Sequence, residues 1–260
     1  MKKYFQIAKI NFLNSFAYFG EFFFHALFIA LIIFIFANMW KAIYSGSELI
    51  EGFTLAMMLW YLLVAEAIVT SSPGFVREIN TEVQNGEIAY KLNKPYSYIL
   101  YHFAKSFSRR IITFFAAFII GAILVYFLVG GFDFKIYSLP FLIIIIFLAM
   151  ALDFFISMSI ALLSFWLEDS NSLRWIYDKL LFTIGGMLVP LEIFPIWLSK
   201  IATILPFSYI AYSPAKLFVR FNLSDFFSVF AVQIGYILLF SCLTWLIYQK
   251  GIRRLNVNGG

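Results

Sequence analysis

The sequence predicts an all-α membrane protein with six transmembrane helices in a single domain, residues 1–260. Two observations lead to this prediction: the apolar segments are long, and the basic residues between them are unevenly distributed. Of the 260 residues, 63% are hydrophobic and 13% are charged, and a soluble domain of this size could not hide so much apolar surface. Six blocks reach or approach the ~20 apolar residues that cross a hydrocarbon core ~30 Å thick. They are 22–40, 53–70, 111–129, 139–164, 176–191 and 226–248, of which the fifth is the shortest.

The basic residues indicate how these blocks are oriented. Most of the 19 lysines and arginines lie in the N-terminal segment, the second and fourth gaps and the C-terminal segment. Cytoplasmic connections of membrane proteins carry an excess of these residues, so both termini are predicted to be cytoplasmic. Basic residues facing anionic lipid headgroups account for the net charge of +5 without a nucleic-acid partner.

Before the first block, the chain has the pattern of an amphipathic helix. Polar residues fall largely on other sides of this helix than its apolar positions. The apolar positions are Phe5, Ala8, Phe12 and Phe16. Such a helix typically lies in the headgroup layer, and we expect it on the cytoplasmic face.

The second gap, residues 71–110, is long for a connection between helices, which usually has about 2 to 8 residues. Within it, Phe75, Ile79 and Val83 recur at helical spacing among polar residues, and Gly86 is suited to end the helix. A helix this short has little stability alone. Its apolar stripe is therefore expected either to rest on the lipid surface or to fit a groove on another protein.

The region between the fifth and sixth blocks is apolar but interrupted by proline. The prolines are Pro190, Pro195, Pro206 and Pro214, and the pieces between them are too short to span a membrane. Residues 196–204 are predicted to form one short helix. Backbone that does not span is tolerated at membrane depth only where protein or water shields it. A re-entrant pair of short external helices is therefore predicted, with a loop resting on the outer interface as the alternative.

Three residues within the blocks are candidates for a substrate path. Asp153 lies ~21 Å into the fourth block at helical rise, where a charge costs ~2.5 to 3.5 kcal/mol; the alternative is a packing role between helices. Glu66 lies near the cytoplasmic end of the second block, where it could instead reach the interface or pair with a basic residue. Trp60 lies deeper than an interfacial aromatic belt and lines either the path or the lipid.

These features together resemble the membrane permeases of type-2 ATP-binding-cassette exporters, over nearly the whole chain. One motif of that family surrounds the cytoplasmic helix and is matched by Glu82, Gly86, Glu87, Leu92 and Pro95. A second follows the fifth block and is matched by Gly186, Pro190, Pro195, Pro206 and Phe207.

The resemblance implies a division of labour between subunits. The cytoplasmic helix would be the coupling helix, seated in a cleft of a separate ATPase that binds ATP and Mg²⁺. Two permeases, identical or sister proteins, would pair around the substrate path in a bacterial plasma membrane. The chain itself contains no GxxxxGK[ST] phosphate loop, so neither a cofactor nor catalysis of ATP hydrolysis is expected in it.

Other classes of membrane protein remain as alternatives. A secondary transporter or channel would normally show several deep charges or an internal repeat, whereas Asp153 is the one clear deep charge in the sequence. An accessory membrane anchor for an ATPase would share the coupling helix. An intramembrane enzyme is disfavoured because HExxH and GxSxG are absent, and no catalytic residue or metal site is predicted. The sequence does not identify the transported substrate.

Overall fold

The computed structural model describes residues 2–17, 19–72, 74–167 and 169–258. This described part is helical and contains no β-strand, so the predicted all-α class is confirmed. Its α-helices are α1 Lys2–Ala17, α2 Phe19–Ile43, α3 Leu55–Thr70, α4 Phe75–Gln84, α5 Glu87–Leu92, α6 Tyr98–Val129, α7 Leu139–Leu162, α8 Asn171–Thr183, α9 Ile196–Ile204, α10 Tyr212–Val219 and α11 Leu223–Asn258.

Several helical segments are long and apolar enough to cross a membrane. Four such segments occur in the described residues, Leu55–Gln84, Tyr98–Val129, Ile136–Phe165 and Leu223–Arg254, and Leu27–Ile43 in α2 is a shorter apolar helix. The first segment contains both α3 and α4. A multi-pass membrane protein is thus confirmed, while the count of six spans stays a prediction.

The predicted fifth span, 176–191, has the wrong bounds. The observed helix α8 begins at Asn171 and ends at Thr183. It ends there because the backbone N–H groups of Ile184 and Gly185 both donate to the carbonyl of Leu180. Gly186 then takes φ +70°, a left-handed conformation that glycine adopts readily. The 13 residues of α8 rise ~19 Å, so this helix alone is too short for a core ~30 Å thick.

Helix α3 lies at the centre of the fold. It contacts α2, α6, α7 and α10, and almost all of its side chains between Met58 and Ile68 are buried. This arrangement fits its composition, because a helix that is apolar on every side belongs in an interior. Elsewhere, α7 and α11 pack along each other, and α6 contacts α1 and α2.

The predicted N-terminal helix is present as α1, and it is attached to the start of α6. The Lys3 ammonium donates to the Pro95 carbonyl at 2.5 Å, and the Ser97 N–H donates to the Tyr4 hydroxyl at 2.8 Å. Phe5 stays exposed, while the side chain of Phe16 lies outside the described part. The placement of α1 in the headgroup layer remains a prediction.

Candidate functional site

The cytoplasmic connection folds into a pair of short helices, α4 and α5, joined by a tight turn. Gly86 has φ +74° in this turn, a conformation that residues with a Cβ rarely adopt. The predicted helix that ends before Gly86 is therefore observed. We refer to α4, α5 and this turn as the helix pair.

The apolar stripe of α4 packs inside this chain. Phe75 and Ile79 are buried, Val83 is half-buried, and the Phe75 ring lies 5.2 Å from that of Phe154 in α7. They share one hydrophobic cluster with residues of α6 and α7. The expectation that the stripe contacts lipid or another protein is therefore wrong, because the chain supplies the groove itself. The sequence gives the period of a helix but not which surface its stripe meets.

Glu82 lies in a buried polar network beneath the helix pair. Its side chain is 3% exposed and accepts hydrogen bonds from the Lys91 ammonium at 2.5 Å and from the Tyr98 hydroxyl at 2.6 Å. Burial alone would lower the pKa of Lys91, but the hydrogen bond and charge of Glu82 raise it overall. Lys91 thus remains charged, and Glu82 joins α4 to both α5 and α6.

Two further contacts hold α4 from its other sides. The Glu78 carboxylate pairs with the Lys105 ammonium of α6 at 2.5 Å. Asn80 donates to the Asp169 carboxylate at 3.1 Å and accepts from the Ser170 hydroxyl at 2.7 Å. Helix α4 is therefore fastened to α6 and to the segment that precedes α8.

An exposed tip lies at the turn of the helix pair, and we define it as Asn85, Gly86, Glu87 and Tyr90. All four are exposed, and Tyr90 is 67% exposed. Of the other residues in the first family motif, Pro95 is exposed, Leu92 is half-buried and Glu82 is buried. The tip offers an aromatic ring and a carboxylate next to a flat glycine turn.

Asp153 sits in a polar centre close to the helix pair. Its side chain is 1% exposed. One carboxylate oxygen accepts from the Arg110 guanidinium at 2.5 Å and the Ser72 hydroxyl at 2.8 Å. The other accepts from the Tyr177 hydroxyl at 2.6 Å. These residues come from α6, α8 and the connection between α3 and α4, so Asp153 packs between helices.

Arg110 completes the polar centre. Its guanidinium also donates to the carbonyls of Ile68 at 2.8 Å and Met150 at 3.2 Å. From the sequence, Arg110 counts only as one of the basic residues in the second gap. A deep carboxylate such as Asp153 needs a cation or other partners. The position of Arg110, directly before the third block, is the signal that could have identified it as that cation.

The two other path candidates differ in their surroundings. Glu66 is buried in α3, and its Oε2 atom has no hydrogen-bond partner in the described part of the chain. Trp60 lines an apolar cavity of about 570 Å³ between α6 and α7, and its indole N–H donates to the Gly130 carbonyl at 3.2 Å. Asp153 and Glu66 do not line this cavity, so it includes only one of the three candidates.

The second motif forms a broken segment after α8. Pro195 immediately precedes α9, so the predicted short helix 196–204 is confirmed. Pro190 precedes one short 3-10 helix, and Pro206 begins another. The Gly186 carbonyl accepts from the Tyr61 hydroxyl, and a Cβ at Gly186 would lie 2.9 Å from Tyr212. Glycine is thus required there by its conformation and by the close approach of α10.

The two short helices of this segment differ in packing. Helix α10, which contains Pro214, contacts α3, α7 and α11. Among the described residues, the main contacts of α9 are with the two adjacent 3-10 helices. Its residue Ile196 is 77% exposed. The Phe207 ring, between them, lies 5.9 Å from that of Tyr177. The segment is therefore anchored through α10 and Phe207, and its re-entrant character stays a prediction.

Comparison with protein families gives one match. Residues 24–259 match the model of a family described as ABC-2 family transporter protein. That range includes the helix pair, the polar centre and the broken segment after α8. No curated protein matches the chain.

Proposed function

Because the chain belongs to the ABC-2 transporter family, we propose that it is the membrane subunit of an exporter driven by a separate ATPase. ATP and Mg²⁺ would bind to that ATPase, and the helix pair would face it on the cytoplasmic side together with both termini. A second permease, identical or a sister protein, completes the substrate path within the membrane.

The observation that carries this proposal is the way in which α4 is fastened. Its contacts reach α6 through Glu82 and Glu78, and they reach the segment before α8 through Asn80. Ser72, just before α4, reaches Asp153 in α7. A push on the tip would therefore move several helices together, as a rigid-body change of access requires.

These contacts also change which residues are proposed to meet the ATPase. Phe75, Ile79 and Glu82 are engaged within the chain, so they support the helix pair from behind. The tip, with Glu87 and Tyr90, is the proposed docking surface. Exposed aromatic residues often contribute strongly to such interfaces.

The experiment compares two tip variants with a control on the same helix pair. Glu87→Lys and Tyr90→Ala should each reduce co-purification of the ATPase by about fivefold or more, with efflux falling in parallel. Arg77→Glu, at an exposed position of α4 away from the tip, should retain both activities. All three variants should insert and fold normally, because none of these side chains is buried.

The outcomes distinguish the alternative functions. Full recruitment and full efflux in both tip variants would contradict the docking surface. An ATPase that is recruited by the native chain without any efflux would favour an accessory anchor. Transport that follows an ion gradient and needs no ATPase would favour a secondary transporter or channel.

A further inference from the structure

The apolar cavity beside Trp60 is a groove that opens between α6 and α7. Its lining residues are aliphatic, aromatic, methionine or glycine, and none is charged. Trp60 of α3 and Phe218 of α10 form its back wall, with their rings 6.1 Å apart. Phe115 and Ile143 on its sides stay exposed, so the groove opens onto the surface of the spans, where lipid surrounds the protein. We refer to it as the α6–α7 groove.

The groove lies along both helices. Along α7 it extends from Leu139 to Met150, which is ~16 Å at 1.5 Å per residue. Along α6 it extends over a similar length, from Ile111 at the start of the third block to Ala122. The groove begins at the connection between α6 and α7, which lies outside under the proposed topology.

A charged cavity of about 680 Å³ adjoins the groove at this same end, and both are lined by Phe218. Some of its charges are engaged: Lys216 pairs with Glu192 at 2.7 Å, and the Arg220 guanidinium lies over the Phe53 ring at 5.0 Å. Asp133 and Lys135 also line it. Their side chains make no ion pair or hydrogen bond with any residue that the structure describes. A free carboxylate and a free ammonium are thus available beside the mouth of the groove.

We propose that the α6–α7 groove binds one acyl chain of a bilayer phospholipid whose zwitterionic headgroup occupies the charged cavity. The headgroup ammonium pairs with Asp133 and its phosphate with Lys135. Lipid tails are already in an apolar medium, so an apolar groove alone does not select one lipid. Complementary charges supply the selection, and the concave groove holds the chain longer than a flat helix surface would.

The test of the acyl site uses Trp60 as a reporter. In a variant that keeps Trp60 and replaces the other tryptophans by phenylalanine, phosphatidylethanolamine with brominated acyl chains should quench the fluorescence. Ala122 lines the groove, and Ala122→Phe should raise the lipid fraction needed for half-maximal quenching by about threefold or more. Ile123→Phe places the same phenyl ring at an exposed position next to it and should leave quenching unchanged.

The headgroup site is tested with the same reporter and a second pair of variants. Asp133→Asn combined with Lys135→Gln should reduce the preference for phosphatidylethanolamine over phosphatidylglycerol by about twofold to fivefold. Lys41→Gln combined with Glu48→Gln, which changes two other exposed charges, is the control and should have no effect.

Lipid retention measured by native mass spectrometry provides a readout that does not depend on the tryptophan replacements. The chain should retain phosphatidylethanolamine, and Ala122→Phe should lose it. Equal quenching and equal retention in Ala122→Phe and Ile123→Phe would mean ordinary surrounding lipid and would overturn the proposal. Quenching that disappears as the protein-to-lipid ratio rises would mean that a second copy covers the groove, which would overturn it as well. Neither measurement requires the ATPase, so failure here leaves the proposed export function untouched.

Discussion

Replacing Asp153 by leucine should destabilise the fold severely, because it removes the charge partner of Arg110. The guanidinium would stay buried with only the carbonyls of Ile68 and Met150 as acceptors, and the Tyr177 hydroxyl would lose its partner. Breaking a buried ion pair from one side costs about 3 to 5 kcal/mol. We expect the lower end, ~3 kcal/mol, because two of the guanidinium's acceptors remain. For a chain of this size that corresponds to a fall in Tm of about 6 to 12 °C.

Thermal unfolding in detergent, followed by size-exclusion chromatography of the folded fraction, measures this change. The matched variant is Asp153→Leu combined with Arg110→Met, which removes both charges and should recover most of the lost stability. Asp178→Asn is the control, because its ion pair with Arg174 is half exposed and should contribute at most about 1 kcal/mol. An Asp153→Leu variant that unfolds within about 2 °C of the native chain would refute the reasoning.

Three further predictions concern the helix pair, the topology and pH. Phe75→Ala should cost about 3 to 5 kcal/mol of unfolding free energy because the ring is buried, whereas the exposed Thr81→Ala should be nearly neutral in the same thermal assay. With Cys242 replaced by serine, a cysteine at Ser47 should react with an impermeant thiol reagent from outside and one at Asn85 should not; the reverse result would overturn the orientation. Burial alone would raise the pKa of the Glu192 carboxyl, but its hydrogen bonds with Lys216 and Tyr212 outweigh burial and hold this pKa below its usual 4.5. Ionised Glu192 should therefore stabilise the fold above pH 4.5, and this stabilisation should be lost as the pH falls further. If acid lowered the Tm of the Glu192→Gln variant as much as that of the native chain, this prediction would be contradicted.

Much of the fold is predictable from the sequence because the relevant signals are local. Long apolar runs correspond to α3, α6, α7 and α11, and Pro195 correctly marks the start of α9. The end of α8 was mispredicted because apolar residues continue past Gly186, and hydropathy does not register the left-handed turn that stops the helix. The conformation of the backbone, and not the hydropathy of the side chains, sets the end of α8.

The candidate site was less predictable, because its chemistry depends on contacts between distant segments. Periodicity identified Phe75 and Ile79 as one stripe, but only the packing of α4 on α7 shows that the stripe faces inward. Asp153 was identifiable as a deep charge, while its partner Arg110 lies 43 positions away in the sequence. Residue spacing along one helix carries no information about such a pair.

The contacts between α1 and the start of α6 also set an order of events during synthesis. Lys3 and Tyr4 find their partners 92 and 93 positions later in the chain. At a translation rate of about 5 to 20 residues per second, those partners emerge ~5 to 20 s after Lys3 and Tyr4. During that interval α1 has nothing of its own chain to dock against, and its apolar residues must be sheltered by a membrane surface or a chaperone. Helix α1 thus leaves the ribosome well before the segment that fixes its position.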